Sequence, residues 1–390
     1  MGAPNYSLFS EDDTLARHST PEYAVLSFHA LSLVRGLGRV SLGALCDAFS
    51  PLGIVWSEPF ERIRDVLQHA KNKDAEAVAT RVVQDRDVLL ERGGHRTAQL
   101  THAGIRLIFR SDPEYPQRLA AANGPRWLFV FGNIDVLHRQ SAVAVVGTRT
   151  PTDKGRAAAR KVSRVLTDAG FVVISGLAEG IDTAVHEAVL DGGGETVAVL
   201  GNGLGIEFPA GSNALRQRIV DGGGAIVTEY LLSDTYSRRS FIERNRIQAA
   251  LAGVVIPVQG ARQSGTARTI GYARELSRPL AGVWVGKPIS SSENEILDVL
   301  ASLAAPVFDL SNPASVRGLL GYLAPFASDA RPLRDESDPP LILSKAVAPE
   351  TRRAYTAALR TLRNVIAHRQ PDAAEAEWLL NAVRTLLTPR

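Results

Sequence analysis

The sequence is poor in cysteine and lacks long apolar runs. Its 390 residues include one cysteine, Cys46, which excludes an internal disulfide and a zinc site built from several thiolates. No run of about 20 apolar residues is present that could span a bilayer, and the first residues lack the basic start and apolar stretch of a signal peptide. These absences predict a cytoplasmic protein with no membrane contact.

The sequence also has little excess charge. Its 44 lysines and arginines against 41 acids give a formal net charge of +3, so an anionic partner must be attracted by a local cluster of cations. The sequence has no GxxxxGK[ST] loop and no grouping of acids and histidines with metal-ligand spacing. We therefore expect neither a metal nor a cofactor.

Near the start of the chain, two short helical patterns flank Gly36-Leu37-Gly38. The two glycines permit a sharp turn with exposed backbone. This outline is typical of a helix-hairpin-helix, which holds phosphate through backbone N–H groups at a helix start, and equally of a plain structural hairpin. We expect a small helical domain of the helix-hairpin-helix or SAM-like kind at residues 20–95.

From Ala142 onward the sequence alternates short β-branched apolar runs with longer stretches of helical periodicity. The runs are AVAVVG, FVVIS, TVAVL, AIVTE, VVIPV and LAGVWV. This alternation predicts an α/β fold with a doubly wound, mostly parallel sheet covered by helices on both faces. A polar, proline-broken linker is expected at 311–345 and a C-terminal helical hairpin at 346–390.

In such a sheet, ligands bind beyond the carboxyl ends of the strands, where the loops gather. The segment RRSFIERNRI follows the fourth apolar run and surrounds Phe241 with four arginines. Guanidinium groups bind phosphates bidentately, and an aromatic face stacks on nucleobases. The pattern favours a site for single-stranded nucleic acid over a solvated turn with a buried phenylalanine.

A catalytic alternative rests on Asp182 and His186, which are four residues apart on one predicted helix face. No convincing serine or cysteine nucleophile accompanies them, and a capping aspartate with a structural histidine explains the pair better. We therefore expect no catalytic residue and no enzyme. A sensor or hydrolase of a small nucleotide or nucleotide sugar stays open as an alternative, because Glu179 lies beside this pair.

Seven ordered segments resemble the DNA-processing protein A family, also called DprA or Smf. They are AVAVVGTRTPTDKG, VVISGLAEGIDTAVHEAVL, TVAVLGNGL, FPAGSNALRQRI, GAIVTEY, RRSFIERNRI and QSGTARTIGYA. The resemblance implies that residues 100–310 form a Rossmann-like DNA-binding domain. It also implies a non-enzymatic homodimer that protects single-stranded DNA. It further implies that the protein helps to load a RecA-type recombinase during DNA uptake, natural transformation and recombination.

The resemblance also implies which residues contact DNA. The family's glycine-Ser/Thr-arginine loop falls on Gly147, Thr148 and Arg149, and its phosphate-facing turn falls on Ser175 and Gly176. The remaining implied DNA-binding residues lie in the arginine segment and in the last of the seven segments; they are Arg238, Arg239, Phe241, Arg244, Asn245, Arg246, Ser264 and Gly265.

Departures from the family pattern mark a divergent member. Glu179 occupies a position that usually carries Lys or Arg, and an acid beside a phosphate site repels the ligand unless it points away or pairs with an arginine. Gln259 stands where an acid is common, and the C-terminal hairpin does not look like the winged helix of many relatives. A DNA-sensing adaptor of an antiviral system, recruiting a partner through the C-terminal helices, is the second alternative.

Overall fold

The computed structural model describes residues 18–286 and 294–329. Five helices come first: α1 (Pro21–Leu31), α2 (Arg39–Ala48), α3 (Phe60–His69), α4 (Ala75–Gln84) and α5 (Arg86–His102), with a 3-10 helix at Leu52–Ser57 between α2 and α3. Thr20 caps α1, since its hydroxyl oxygen accepts from the Tyr23 N–H at 3.2 Å. Gly36 makes the turn before α2 with a φ of 89°, a left-handed conformation that glycine adopts without strain.

These helices pack directly on the first two strands, β1 (Ile105–Phe109) and β2 (Trp127–Gly132). Phe28 is fully buried at the centre of this contact, where its ring lies 4.8 Å from Trp127 and 5.8 Å from Phe109 between centroids. Phe28 meets each of the other two rings edge to face, an arrangement that aromatic quadrupoles favour. The N-terminal helices and this edge of the sheet therefore share one apolar core.

Within the described residues, seven strands form the main sheet. Beyond β1 and β2 they are β3 (Ala142–Val146), β4 (Val172–Ser175), β5 (Thr196–Val199), β6 (Ala225–Thr228) and β7 (Val254–Pro257). Their spatial order is β1-β2-β6-β5-β4-β3-β7, with β1 and β2 antiparallel at one edge and β3 to β7 parallel to one another. The expected Rossmann-like, mostly parallel sheet is confirmed.

Helices cover both faces of this sheet. One face carries α7 (Asp153–Asp168), α8 (Ile181–Asp191) and α13 (Pro313–Leu323), and the other carries α6 (Gln117–Ala121), α10 (Arg238–Leu251), α11 (Gly265–Glu275) and α12 (Glu295–Ser302). A further helix, α9 (Asn213–Asp221), packs beside β6. Every residue of β3 to β7 is buried, which explains why these strands are continuous apolar runs.

Three predicted segments have outcomes of their own. The run LAGVWV forms β8 (Gly282–Trp284) and pairs with β9 (Val307–Asp309) in a separate two-stranded sheet. The linker expected from residue 311 is wrong at its start, because α13 lies there with Leu319 and Leu323 fully buried against the main core. The hairpin expected at residues 346–390 lies outside the described residues. None of the described helices is both long and apolar enough to cross a membrane.

Candidate nucleic-acid interface

A cleft of about 1050 Å³ opens at the carboxyl ends of the parallel strands. We call it the strand-end cleft. Three elements supply its walls: the loop after β3, the first turns of α10 with the residues before them, and the start of α11 with its preceding loop. It is lined by Val146–Arg149, Ala178, Asp182, Tyr236, Arg238, Phe241, Ile242, Arg244, Asn245, Gln248 and 262–269.

Cations dominate the rim of this cleft. Arg149, Arg238 and Arg268 are exposed, and none of them forms an ion pair with a described carboxylate. A fourth arginine, Arg262, lies 3.4 Å from a carboxylate oxygen of Asp298. Because unpaired guanidinium groups around a concave surface concentrate anions there, the rim is suited to phosphate groups.

Hydrogen bonds from two neighbouring elements fix the loop that carries Arg149. The Thr148 N–H donates to the Gln259 carbonyl at 2.9 Å, and the Ile181 N–H donates to the Thr148 carbonyl at 3.1 Å. The Arg149 guanidinium lies 4.4 Å from the centroid of the Phe241 ring, within the range of a cation–π contact. Gly147, Thr148 and Arg149 therefore line the cleft, and Arg149 offers its charge to solvent. Their contact with DNA stays a prediction.

Arg244 is placed differently from the DNA contact that the sequence indicated. It is 3% exposed, its Nη1 donates to the carbonyls of Gly176 at 2.6 Å and of Val199, and its Nη2 lies 3.7 Å from Asp182. Burial lowers the pKa of Arg244 to about 10 in spite of the neighbouring carboxylate, and burial raises the pKa of Asp182. Arg244 thus joins strand ends beneath the cleft, and its donors are engaged inside the protein.

The turn at Ser175 and Gly176 also faces the protein. Ser175 is fully buried, and its hydroxyl donates to the Val145 carbonyl at 2.7 Å. A side chain on Gly176 would overlap the Arg244 guanidinium. The small residue at 176 leaves room for an arginine of the same chain, and the phosphate contact implied for this turn is not available in this arrangement.

Asn245, Ser264 and Gly265 form the junction between α10 and α11. The Asn245 side chain accepts from Arg244 Nε at 2.9 Å and donates to the Gly265 carbonyl at 3.2 Å. Ser264 caps α11, since its hydroxyl oxygen accepts from the Ala267 N–H at 3.3 Å. Space is open at Gly265, where the nearest atom to a built Cβ is 3.9 Å away. This helix start faces the cleft with exposed backbone, which suits an anion.

Arg239 and Arg246 lie outside the cleft lining. Arg239 is paired with Glu243 at 2.6 Å, and Arg246 is paired with Glu229 at 2.7 Å. Glu229 also holds Arg39 of α2 at 3.2 Å. Arg239 therefore forms an ion pair within α10, whereas Arg246 links α10 to Glu229 after β6. Only Arg238 of the four arginines in the segment presents an unpaired charge to the cleft.

Phe241 has less open surface than the base-stacking role that the sequence indicated, and its contact with DNA stays a prediction. It is 8% exposed, with Phe208 at 4.9 Å and Arg149 over its ring, so its faces are covered by the protein. The exposed aromatic side chain of the cleft is Tyr236, which the sequence reasoning missed along with Arg262 and Arg268. The available signals were the position of Tyr236 just before the Ser237 cap of α10 and the two arginines that bound the segment 263–267.

The two departures from the family pattern differ in their surroundings. Glu179 is exposed and does not line the cleft, although its neighbour Ala178 does. Gln259 is buried, and its side-chain oxygen accepts from the Thr152 N–H at 3.0 Å just before α7. The uncharged amide of Gln259 is thus a hydrogen-bond acceptor beside the loop that carries Arg149.

Asp182 and His186 contact different residues. Asp182 faces Arg244 and Ser175, whereas His186 is fully buried and lies 2.8 Å from the Thr196 hydroxyl through Nδ1. Thr196 donates its own proton to the Val173 carbonyl at 2.6 Å, so His186 Nδ1–H is the donor to Thr196. This geometry fits the structural interpretation of the histidine. Among the described residues, no group of three acidic, histidine or cysteine side chains is arranged as metal ligands.

The fold and the cleft define a Rossmann-like protein with an arginine-rimmed cleft at the strand ends. The chain belongs to the DNA recombination-mediator protein A family, whose model matches residues 106–312. This is the DprA/Smf family that the sequence segments resemble.

Individual relatives agree with this assignment. The chain is 32% identical over 255 residues to protein Smf of Synechocystis sp., a match that covers 64% of this chain and 62% of that protein. It is 31% identical to DNA processing protein DprA of Streptococcus pneumoniae over 57% of this chain and 81% of that protein. The X-ray structure of DNA processing protein A from S. pneumoniae superposes with a TM-score of 0.56 at 25% identity, covering 77% of this chain and 98% of that one.

Proposed function

We propose that this protein binds single-stranded DNA in the strand-end cleft and mediates the loading of a RecA-type recombinase during DNA uptake and recombination. The observation that carries the proposal is the rim of unpaired, exposed arginines, Arg149, Arg238 and Arg268, around a concave site of about 1050 Å³. Membership of a recombination-mediator family supports the same role.

The proposed activity is binding rather than catalysis. The cleft offers guanidinium groups, the open start of α11 and one acid, Asp182, which Arg244 neutralises. These groups bind the phosphate backbone of DNA and do not contact base edges. We therefore expect binding that tolerates any DNA sequence and weakens with salt. The protein would act as a homodimer in the cytoplasm and hand the protected strand to the recombinase.

Fluorescence anisotropy of a labelled oligothymidine at several salt concentrations tests the DNA part of the proposal. For Arg149→Ala and Arg268→Ala we expect weaker binding to every sequence and a salt slope reduced by about 0.7 for each lost contact. Arg92→Ala is the matched control, because Arg92 is exposed on α5 and outside the cleft lining. Equal affinities for wild type and both cleft variants would overturn the proposal.

The recombinase part needs a separate measurement. Assembly of a RecA-type filament on single-stranded DNA is timed with and without the protein, and the Arg149→Ala variant serves as the comparison. We expect wild type to shorten the delay before assembly and the variant to lose this effect in proportion to its DNA affinity. A protein that binds DNA and leaves the delay unchanged would remove the recombinase from the proposal and keep the DNA site.

A further inference from the structure

Tyr236 stands out among the aromatic side chains of the described residues. It is 50% exposed, whereas every other Phe, Tyr or Trp in residues 18–286 and 294–329 is buried or half-buried. Tyr236 also lines the strand-end cleft. Burying an aromatic ring away from water is favourable, so an exposed ring on the wall of a cleft is a candidate contact surface for a ligand.

Two further aromatic rings, Phe208 and Phe241, pack against Tyr236. The Phe208 ring lies 4.0 Å from the Tyr236 ring between centroids with an interplanar angle of 37°, and Phe241 lies 6.0 Å away at 36°. Phe208 and Phe241 are themselves 4.9 Å apart. One side of Tyr236 is therefore packed on the protein, and the exposed half of its surface remains for a ligand.

The backbone next to Tyr236 is fixed by the start of α10. The Ser240 N–H donates to the Ser237 hydroxyl at 3.0 Å, and the Ser237 N–H donates to the Ser240 hydroxyl at 2.8 Å. This reciprocal cap holds the residue that follows Tyr236. Because the adjacent backbone is fixed, the Tyr236 side chain loses little conformational freedom when a ligand stacks on its ring.

Two cations line the same cleft as the Tyr236 ring. Arg149 lies 6.0 Å from the Phe208 ring centroid, and Arg238 follows Tyr236 by two residues on the cleft wall. A flat aromatic surface between phosphate-binding groups is the combination used for single strands, in which bases stack while the backbone meets positive charge.

We propose that Tyr236 stacks on an unpaired nucleobase and gives the cleft its preference for single-stranded over duplex DNA. This inference rests on the proposed function. The arginines contact phosphates, which both forms of DNA carry, whereas a base inside a duplex has both faces covered by its neighbours. Tyr236 therefore supplies the part of the binding that depends on strandedness, and its removal should not change the number of phosphate contacts.

The test compares two oligonucleotides of equal length, one of thymidines and one with abasic sites throughout, so that only the bases differ. Wild type, Tyr236→Phe and Tyr236→Leu are titrated with both, and duplex DNA is used as a competitor. Urea unfolding of each variant checks that the half-exposed position tolerates the change. Because Tyr236→Phe keeps the ring and loses only the hydroxyl, it is the matched control.

For wild type and Tyr236→Phe we expect the thymidine strand to bind about 5- to 100-fold more tightly than the abasic strand. For Tyr236→Leu we expect this ratio to collapse toward one and the preference over duplex to shrink with it, while the salt slope stays at the wild-type value. A ratio in Tyr236→Leu equal to that of wild type would overturn the stacking inference. Binding of both strands with equal affinity by wild type would also overturn it and leave the phosphate site standing, whereas binding of neither would remove the proposed function as well.

Discussion

The guanidinium of Arg244 occupies the space in which residue 176 would carry a side chain, and it donates to the Gly176 carbonyl at 2.6 Å. The same guanidinium reaches the carbonyl of Val199 and lies 3.7 Å from Asp182. It thus connects the ends of β4 and β5 to the first helical turn of α8. The floor of the strand-end cleft is therefore held by a buried cation from α10, and the free charges lie on the rim.

Arg244→Ala is expected to destabilise the protein. The substitution leaves the buried Asp182 carboxylate without its cation and two carbonyl oxygens without a donor, and breaking a buried pair in this way typically costs about 3–5 kcal/mol. Urea unfolding followed by circular dichroism measures the change in the free energy of unfolding. DNA affinity, measured below the unfolding transition, should fall as a consequence of the altered cleft floor.

Asp182→Asn in the Arg244→Ala background provides the control. Removing the unpaired charge should restore part of the lost stability, because the buried carboxylate is the main penalty in the single variant. An Arg244→Ala protein as stable as wild type would show that the guanidinium is not the structural cation described above.

Gly176→Ala tests the same contact from the other side. A methyl group at this position would overlap the Arg244 guanidinium, and overpacking a well-packed site costs about 1–3 kcal/mol. The control is Gly271→Ala inside α11, where a built Cβ has no atom within 4 Å. There alanine should stabilise the helix by about 0.5–1 kcal/mol, so the two changes are expected to shift the urea midpoint in opposite directions.

The buried parallel strands were predictable from sequence because their surroundings are uniform. A strand covered on both faces must be almost entirely apolar, and β3 to β7 contain polar residues only at strand ends, Ser175, Thr196 and Thr228. The antiparallel pair β1 and β2 was harder to assign, since only the five-residue helix α6 lies between the strands and no long helical period marks them. The start of α13 was missed because Pro313 and the polar residues before it are also typical of a linker.

The feature of the candidate site that was hardest to predict from sequence was the side of α10 on which each residue of the arginine segment lies. A run of charges does not say which side of a helix each member occupies. Helical spacing separates them: Arg238, Phe241 and Asn245 follow one another toward the cleft, while Arg239, Glu243 and Arg246 lie together on the other side. Glu243, four residues after Arg239, was the sequence signal for an ion pair. Burial of Arg244 depends on contacts with β4 and β5, which no local pattern encodes.

The stability of the protein should fall as the pH drops below neutrality, because two histidines are buried in the neutral form. Burial, with a smaller contribution from a nearby arginine, lowers the pKa from 6.5 to about 3 for His186 and to about 4 for His29. The unfolded chain takes up these protons below pH 6.5 and the folded protein does not. The stabilisation is therefore complete above pH 6.5 and is lost as the pH falls toward 4, by about 1.4 kcal/mol per pH unit for each histidine.

Urea unfolding at several pH values between 7.5 and 4.5 measures this slope. His186→Gln should remove the contribution of one proton from it, whatever the change does to stability at pH 7.5. His95→Gln is the control, since that side chain is 76% exposed, and it should leave the slope as in wild type. An unchanged slope in His186→Gln would contradict the buried neutral histidine.

Glu179→Lys should strengthen DNA binding at low salt. Glu179 is exposed between Ala178, which lines the cleft, and Gly180, where an added Cβ would overlap the carbonyl of Arg149, so its charge lies near the proposed phosphate path. Replacing a repelling charge with an attracting one near that path should raise the affinity by about 2- to 10-fold, and the gain should shrink once salt shortens the screening length to a few ångströms.

Glu275→Lys makes the same charge change at the far end of α11 and should have little effect on anisotropy titrations. If both substitutions raise the affinity equally, net charge alone attracts the DNA; if only Glu179→Lys does, the strand passes the loop that carries Arg149.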